Sequence, residues 1–177
     1  MVVSDADRAG SDPAGDPSLL SLREHLREQL RRSYRGLLRS VKGLTEAQAC
    51  EGVREDWQRY RWGSGLNGSI AGIVWHAALW KQNLAQGVET GAFPSEESLS
   101  PPGREWPALL EWLANGQTRM ERALDLLTDT ELVEVREWEG MTAPLFRLIS
   151  FLIEHDFYHA GQIELLRQLR GYPSGAD

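Results

Sequence analysis

Four long segments of this chain repeat their apolar residues at steps of three and four, and this periodicity constrains the fold more than any other feature. The segments cover about residues 18–42, 69–88, 104–127 and 145–170. Apolar residues at that spacing fall on one face of an α-helix. Because few other segments alternate in the way that strands do, the sequence predicts an all-α protein, a four-helix bundle.

Capping residues, glycines and prolines mark the ends of these helices. The expected markers are Gly43 after the first helix, Asn67 or Ser69 before the second, Arg104 with Pro107 at the start of the third, and Thr142 with Pro144 before the fourth. Between the third and fourth helices, TDTELVEVREWEGM combines mild alternation with a glycine. That segment predicts a loop or a weak hairpin.

The periodic region predicts one domain with a short tail at each end. Residues 1–17 are rich in Ser, Asp, Gly and Pro and poor in large apolar groups, which predicts a disordered tail. Residues 18–171 are expected to form the bundle, and residues 172–177 a C-terminal tail.

The connector between the first two helices, residues 44–66, contains three large aromatic residues, Trp57, Tyr60 and Trp62. The simplest interpretation is that their rings anchor the loop to the bundle. A roof over a pocket and a contact in a homodimer remain open alternatives.

The charge of the chain argues against several classes of partner. Its formal net charge is −7, whereas binding to nucleic acid or to an anionic membrane needs a basic face. No apolar run reaches the length of a membrane span, and the N-terminus lacks the features of a signal peptide. The single cysteine, Cys50, is interpreted as a small apolar residue. We therefore expect a cytoplasmic protein that binds neither nucleic acid nor membrane.

Three of the four histidines are predicted to face the core. His155 and His159 lie four residues apart, about one turn, in the most apolar run of the chain, and His76 lies among apolar residues of the second helix. The residues within about 60° of His155, at about 100° per residue, are Leu148, Phe151, Leu152, His159, Gln162, Leu166 and Leu169. His25 lies nearer the polar side of the first helix and is given no role.

Inward imidazoles on two facing helices predict a metal site. Side chains at i and i+4 can reach one ion, and three protein ligands leave an open position for water or substrate. The alternative is that each histidine is a hydrogen-bonded core residue, which for His76 alone is the commoner case. A metalloprotease is excluded, because Asp156 stands where those helices carry Glu and no suitable further ligand follows.

Three polar residues near the histidines have roles that the sequence leaves open. Gln162, one turn beyond His159, either orients a ligand or bonds to backbone at the edge of the core. Asn83 is a weaker candidate for a supporting role. Asp156 either orients a histidine or faces solvent, and solvent is the preferred interpretation.

Two segments, SIAGIVWHAALW and EHDFYHAGQIELLRQL, carry a resemblance to a known family. Together with the order of the helices, they resemble the DinB-like superfamily of four-helix metal proteins over about residues 18–171. The H-x-x-x-H-x-G-Q-I run is the most specific part. The resemblance implies a bundle with a crossover connection and one divalent ion held by His76, His155 and His159.

The resemblance also implies a reaction. Some members of the superfamily are transferases that use bacillithiol or mycothiol, and a related branch is a mycothiol-dependent maleylpyruvate isomerase. A small-molecule thiol and an electrophile are the partners that this implies, with Zn or Ni as the ion, because both metals suit imidazole ligands. A non-enzymatic metal-binding protein of the stress response and a metal-dependent hydrolase remain alternatives, since no residue fixes the substrate.

Overall fold

The computed structural model describes residues 21–52, 68–94, 98–99, 103 and 105–175 of the chain. Several predictions fall outside those residues. They are the disordered tail at residues 1–17, the aromatic residues Trp57, Tyr60 and Trp62 of the connector, and the helix markers Asn67 and Arg104.

Four long helices make up most of the described chain. They are α1 (Leu22–Val41), α3 (Ile70–Thr90), α4 (Trp106–Leu126) and α6 (Leu145–Leu169). The smaller elements are the helices α2 (Glu46–Cys50) and α5 (Asp129–Val133) and the antiparallel strands β1 (Val135–Trp138) and β2 (Met141–Pro144). The prediction of an all-α bundle of four helices is confirmed.

Local sequence explains where the long helices begin and end. Ser21 and Glu24 form a capping box at the start of α1, and the Ser69 side chain accepts a hydrogen bond from the backbone N–H of Gly72 at 3.0 Å. Gly43 and Gly91, just beyond α1 and α3, have φ near +75°. That left-handed conformation carries little cost for glycine and ends a helix.

The connection before α6 differs in detail from its prediction. It contains the short helix α5 and then a hairpin, whose turn residues Glu139 and Gly140 have φ of 49° and 74°. Positive φ at both turn residues matches the twist of a two-residue hairpin. Thr142 is not part of the helix start, because it pairs with β1 in the ladder, and Pro144 is the residue that precedes α6.

The directions of the helices follow from the order of their contacts. Helix α1 runs antiparallel to α4 and parallel to α6, and α3 runs antiparallel to α6. The contacting pairs are Arg27–Asp125 and Arg31–Glu121, then Ser33–Asp156 and Ser40–Arg167, then His76–His159 and Trp80–Phe151. Helices α3 and α4 are therefore parallel, so the connection between them joins opposite ends of the bundle, as a crossover connection does.

The interior has two apolar halves with a polar layer between them. One half contains Leu37, Leu79, Leu113 and Ile163, and the other contains Leu30, Leu84, Met120 and Leu152. The polar layer consists of Ser33, Lys81, Gln117 and Asp156, one residue from each long helix, all buried. Each apolar half thus stops, on every helix, close to the residue that this layer occupies.

Two residues expected inside are at the surface. Leu169 is 74% exposed, because it projects from the last turn of α6 on the side away from the bundle centre. Cys50, interpreted from the sequence as a small apolar residue, is an exposed free thiol at the end of α2. Within the described residues, no helix is both long and apolar enough to cross a membrane.

Candidate metal centre

The three histidines singled out in the sequence meet between α3 and α6. The Nε2 atom of His155 lies 3.0 Å from that of His76 and 2.9 Å from that of His159. His76 and His159 are buried, with 9% and 4% of their surfaces exposed, and His155 is half-buried. The two helices therefore bring three ring nitrogens to one point.

Hydrogen bonds among the rings do not satisfy this cluster. The Nε2 atom of a neutral imidazole carries either one proton or one lone pair, yet the Nε2 of His155 faces two other Nε2 atoms. Its other nitrogen, Nδ1, is buried with no hydrogen-bond partner among the described residues. A divalent ion bound by imidazoles lies about 2.0–2.1 Å from each nitrogen, a distance that the spacing of these three atoms allows. The cluster can hold a metal ion.

Gln162 supports the cluster through His159. Its Oε1 lies 2.7 Å from Nδ1 of His159, and its Nε2 donates to the hydroxyl of Tyr158 at 2.9 Å. With Nδ1–H as the donor, the Nε2 of His159 carries its lone pair towards the other two histidines. Partners of this kind fix the tautomer and the ring orientation of metal-binding histidines.

Burial keeps the imidazoles neutral. Loss of solvation, together with a smaller effect of the nearby His159, lowers the pKa of His76 from 6.5 to about 4. Burial, followed by the neighbouring His159 and His76, lowers the pKa of His155 to about 2. Burial also lowers the pKa of His159, against a smaller opposing effect of Gln162. Neutral imidazole is the form that binds a metal, so no proton has to leave the site at neutral pH.

An aromatic wall positions His155. Its ring stacks on Trp80, with 4.2 Å between ring centroids and 2° between planes. Trp138, from the hairpin, packs edge-on against Trp80 at 5.1 Å, which explains why the hairpin lies here. Stacking restricts ring rotation, so the wall helps to aim Nε2 of His155 at the other two histidines.

Asn83 belongs to this wall and does not contact the histidines in any hydrogen bond of the described residues. Its Oδ1 accepts from the indole N–H of Trp138 at 2.9 Å, and its Nδ2 donates to the carbonyl of Pro94 at 2.8 Å. Its supporting role is therefore to join α3, the hairpin and the chain after α3.

The histidines form one side of an open cleft of about 370 Å³. Its lining combines rings with polar groups: His76, Phe151, Glu154, His155, Tyr158, His159 and Gln162. A second cleft of about 380 Å³ adjoins it, sharing Phe151 and Glu154 and adding Arg147. The open side of the cluster thus faces a space large enough for a small molecule.

Asp156 corrects the sequence prediction. It is fully buried, not solvent-facing, and its Oδ2 pairs with Nζ of the equally buried Lys81 at 2.6 Å. The signal was present in the spacing: Asp156 follows Ile149 by seven residues and Leu152 by four, and precedes Ile163 by seven. Residues at those steps share one helix face. Lys81 carried no comparable signal, since a lysine on an apolar helix is usually at its edge.

The fold and the cluster define a class of protein, a four-helix bundle with three histidines from two helices at the wall of a cleft. The profile of the DinB superfamily matches residues 29–163. The chain belongs to this superfamily.

Comparison with solved structures supports the same fold. A crystal structure of a conserved protein from Enterococcus faecalis is similar to this chain, with a TM-score of 0.61 and 16% sequence identity. The match covers 85% of this chain and 98% of that one. No curated protein matches the sequence.

Proposed function

We propose that the protein binds one divalent metal ion, Zn or Ni, through His76, His155 and His159 and is a metal-dependent thiol transferase. The thiol would be a low-molecular-weight one, bacillithiol or mycothiol, and the acceptor a small electrophile. The proposal rests on one observation. The Nε2 atom of His155 lies within 3.0 Å of the Nε2 atoms of both His76 and His159, at the wall of an open cleft. Three protein ligands and an open position are the pattern of a metal that binds substrate.

A divalent ion lowers the pKa of a coordinated thiol and so supplies a thiolate near neutral pH. Residues of the chain would supply the proton acceptor and the binding surface. Glu154, exposed at the edge of the cleft, accepts the thiol proton and passes it to solvent. The thiolate sulfur then forms a bond to the electrophilic carbon, whose leaving group departs with its bonding electrons.

The clefts suit a substrate with an apolar part and an anionic part. Phe151 and Tyr158 offer ring surfaces beside the histidines. Arg147, exposed in the adjoining cleft, offers a positive charge to an anionic group. An electrophile would lie against the rings, with the charged end of either substrate reaching Arg147.

The metal content of purified protein tests the first half of the proposal. We expect one ion per chain, lost in His155→Ala and in His159→Ala, because two remaining imidazoles bind an ion far more weakly. His25→Ala, an exposed histidine of α1, is the matched control and should keep the ion. Full metal content in either α6 variant would contradict the assignment.

Thiol consumption tests the second half. Bacillithiol, mycothiol and glutathione are each incubated with a panel of electrophiles and the protein. We expect conjugation that stops on chelation, returns with added metal and is absent in His76→Ala. Metal binding without conjugation of any thiol would contradict the transferase and favour a non-enzymatic metal-binding protein.

A metal-dependent hydrolase is a second candidate, favoured by the position of Glu154 in the same cleft as the histidines. Water would occupy the open position, and the carboxylate would accept its proton. Hydrolysis of a panel of esters and amides that is lost in Glu154→Gln, without thiol conjugation by the parent, would support this candidate over the transferase.

A further inference from the structure

The polar layer of Ser33, Lys81, Gln117 and Asp156 is the strongest feature that the proposed chemistry does not use. The Lys81 amine donates to Asp156 Oδ2 at 2.6 Å and to Gln117 Oε1 at 3.0 Å. The Ser33 hydroxyl contacts the same carboxylate oxygen at 2.9 Å. One hydrogen-bonded network therefore joins all four long helices at a single level.

The layer places polar side chains, including an ion pair, between the two apolar halves of the core. Lys81 and Asp156 are both 0% exposed, and apolar halves lie on either side of them. Burying an ion pair seldom adds stability over an apolar pair of similar volume. Buried polar residues are instead known to fix the register of packed helices at a cost in stability.

Apolar packing alone leaves the offset between helices poorly determined. Rows of Leu, Ile and Ala can repack after a slide along the axis, and elements do shift by up to one turn in switching proteins. A slide of α3 along α6 by one turn moves atoms by about 5.4 Å. Such a move would separate Lys81 from Asp156 and leave two charges unpaired in the core, so the layer allows one offset.

The layer stands directly beside the histidine cluster. Asp156 is adjacent in sequence to His155, and Lys81 follows His76 by five residues. Side chains lean towards the N-terminus of their helix, so the Lys81 amine reaches back along α3 towards the level of His76. The ion pair thus depends on the offset between α3 and α6, the same two helices whose histidines must meet, and it lies at the same level of the bundle.

Close approach of α4 completes the layer. A methyl group at Gly116 would come within 2.9 Å of the Cβ of Lys81. Glycine at this position lets α4 bring Gln117 up to the amine. Gly116 therefore permits the close approach of α4 to α3 on which the contact between Gln117 and Lys81 depends.

We propose that Lys81 and Asp156 are positioning residues, which fix the offset of α3 against α6 so that His76 meets His155 and His159. The inference rests on the proposed metal site for its importance, and on the contacts of the layer for its mechanism. Neither side chain lines the cleft, so neither is placed to bind the metal or a substrate directly.

The informative variant is the double substitution Lys81→Met with Asp156→Leu, which replaces the ion pair by apolar side chains. Arg167→Met is the matched control: this buried cation also joins α1 to α6, through the carbonyls of Ser40 and Lys42, but lies two turns beyond His159. Three quantities are measured in each full-length protein. They are the melting temperature, the affinity for Zn by competition with a chelator, and ring-to-ring NOEs between His76 and the two histidines of α6 without metal.

We expect the double variant to unfold cooperatively near the parent temperature, yet to lose the NOEs and roughly tenfold or more in Zn affinity, the range found when groups that orient metal ligands are removed. Arg167→Met should melt at a lower temperature with NOEs and affinity unchanged. A double variant that keeps both the NOEs and the affinity would overturn the proposal.

Two further outcomes are separable. If the parent shows the NOEs but binds no Zn, the proposed function fails, and the NOEs alone decide whether the layer sets the offset. If the double variant does not fold, Asp156→Glu decides, because it keeps the pair and lengthens one arm by a methylene group. Weakened NOEs in Asp156→Glu support the proposal, and NOEs and affinity equal to the parent contradict it.

Discussion

At the scale of single residues, His155 illustrates how burial prepares a ligand. Its ring is stacked on Trp80, its Nδ1 has no hydrogen-bond partner among the described residues, and its Nε2 faces two other imidazoles. Three nitrogens held together in this way favour a cation between them and disfavour protonation of any ring. Without metal, the close approach of these nitrogens is therefore unfavourable, and metal binding would stabilise it.

The first prediction concerns the pH dependence of stability without metal. The pKa values of His76 and His155 are lowered on folding, to about 4 and about 2, so below pH 6.5 the unfolded chain binds more protons than the folded chain. The free energy of unfolding should then fall as the pH drops from about 6.5 towards 4. Urea melts of the chelated protein at several pH values measure this.

Matched variants isolate the contribution of the histidines from that of the carboxylates. His76→Gln and His155→Gln should each flatten the pH dependence between 6.5 and 4, whereas His25→Gln, on the exposed side of α1, should leave it as in the parent. Equal slopes in all four proteins would contradict the prediction.

The second prediction concerns Gln162. Gln162→Leu, similar in size but apolar, removes the acceptor 2.7 Å from Nδ1 of His159 and frees that ring to rotate. We expect Zn affinity to fall roughly tenfold, and thiol turnover to fall by more than the metal content at saturating Zn. Gln168→Leu, exposed near the end of α6, is the control, and equal behaviour of the two variants would mean that Gln162 orients nothing.

At the scale of elements, helix α6 shows what periodicity predicts and what it misses. Its existence and both histidines follow from the apolar run. The orientation of α6 about its own axis does not follow from that run. Centring the apolar stripe on His155 predicts that Leu169 faces inward and Asp156 outward, whereas in the structure Leu169 is exposed and Asp156 is buried. The bundle centre lies roughly 100° around the helix from His155, at Asp156. Cleft-lining rings such as Phe151 shifted the apparent centre, since apolar residues around a pocket look like core.

The third prediction compares two glycines in helix interiors. Gly161→Ala in α6 meets nothing within 4 Å and removes backbone entropy from the unfolded chain, so it should stabilise by about 0.5–1 kcal/mol. Gly116→Ala in α4 gains the same helix propensity but places a methyl group 2.9 Å from Cβ of Lys81. Overpacking costs about 1–3 kcal/mol, so its melting temperature should fall. A rise in both melting temperatures would show that α4 can move away from Lys81 freely.

At the scale of the whole molecule, long-range pairing separates what the sequence predicts from what it does not. Four helices and three inward histidines follow from spacing within each segment. Lys81 and Asp156 are 75 residues apart in the chain, and the local sequence around one does not indicate that the other is its partner. The sequence does not decide between a loop and a hairpin for a similar reason: the strands are four residues long, and Trp138 is held by packing on Trp80 rather than by local propensity.

The last prediction concerns how far the whole fold depends on metal. Each long helix buries apolar residues in a core that spans both sides of the polar layer, unlike a zinc finger, which is unfolded without its ion. Metal that binds only the folded state at 100 times its dissociation constant adds about 2.7 kcal/mol of stability. In a domain of this size that corresponds to roughly 5–10 °C in melting temperature. Chelation should therefore lower the melting temperature by about that amount and leave the helical circular dichroism at 25 °C unchanged, with the His155→Ala variant unaffected by the chelator. Loss of helix on chelation would mean that the ion, and not the apolar halves of the core, holds the bundle together.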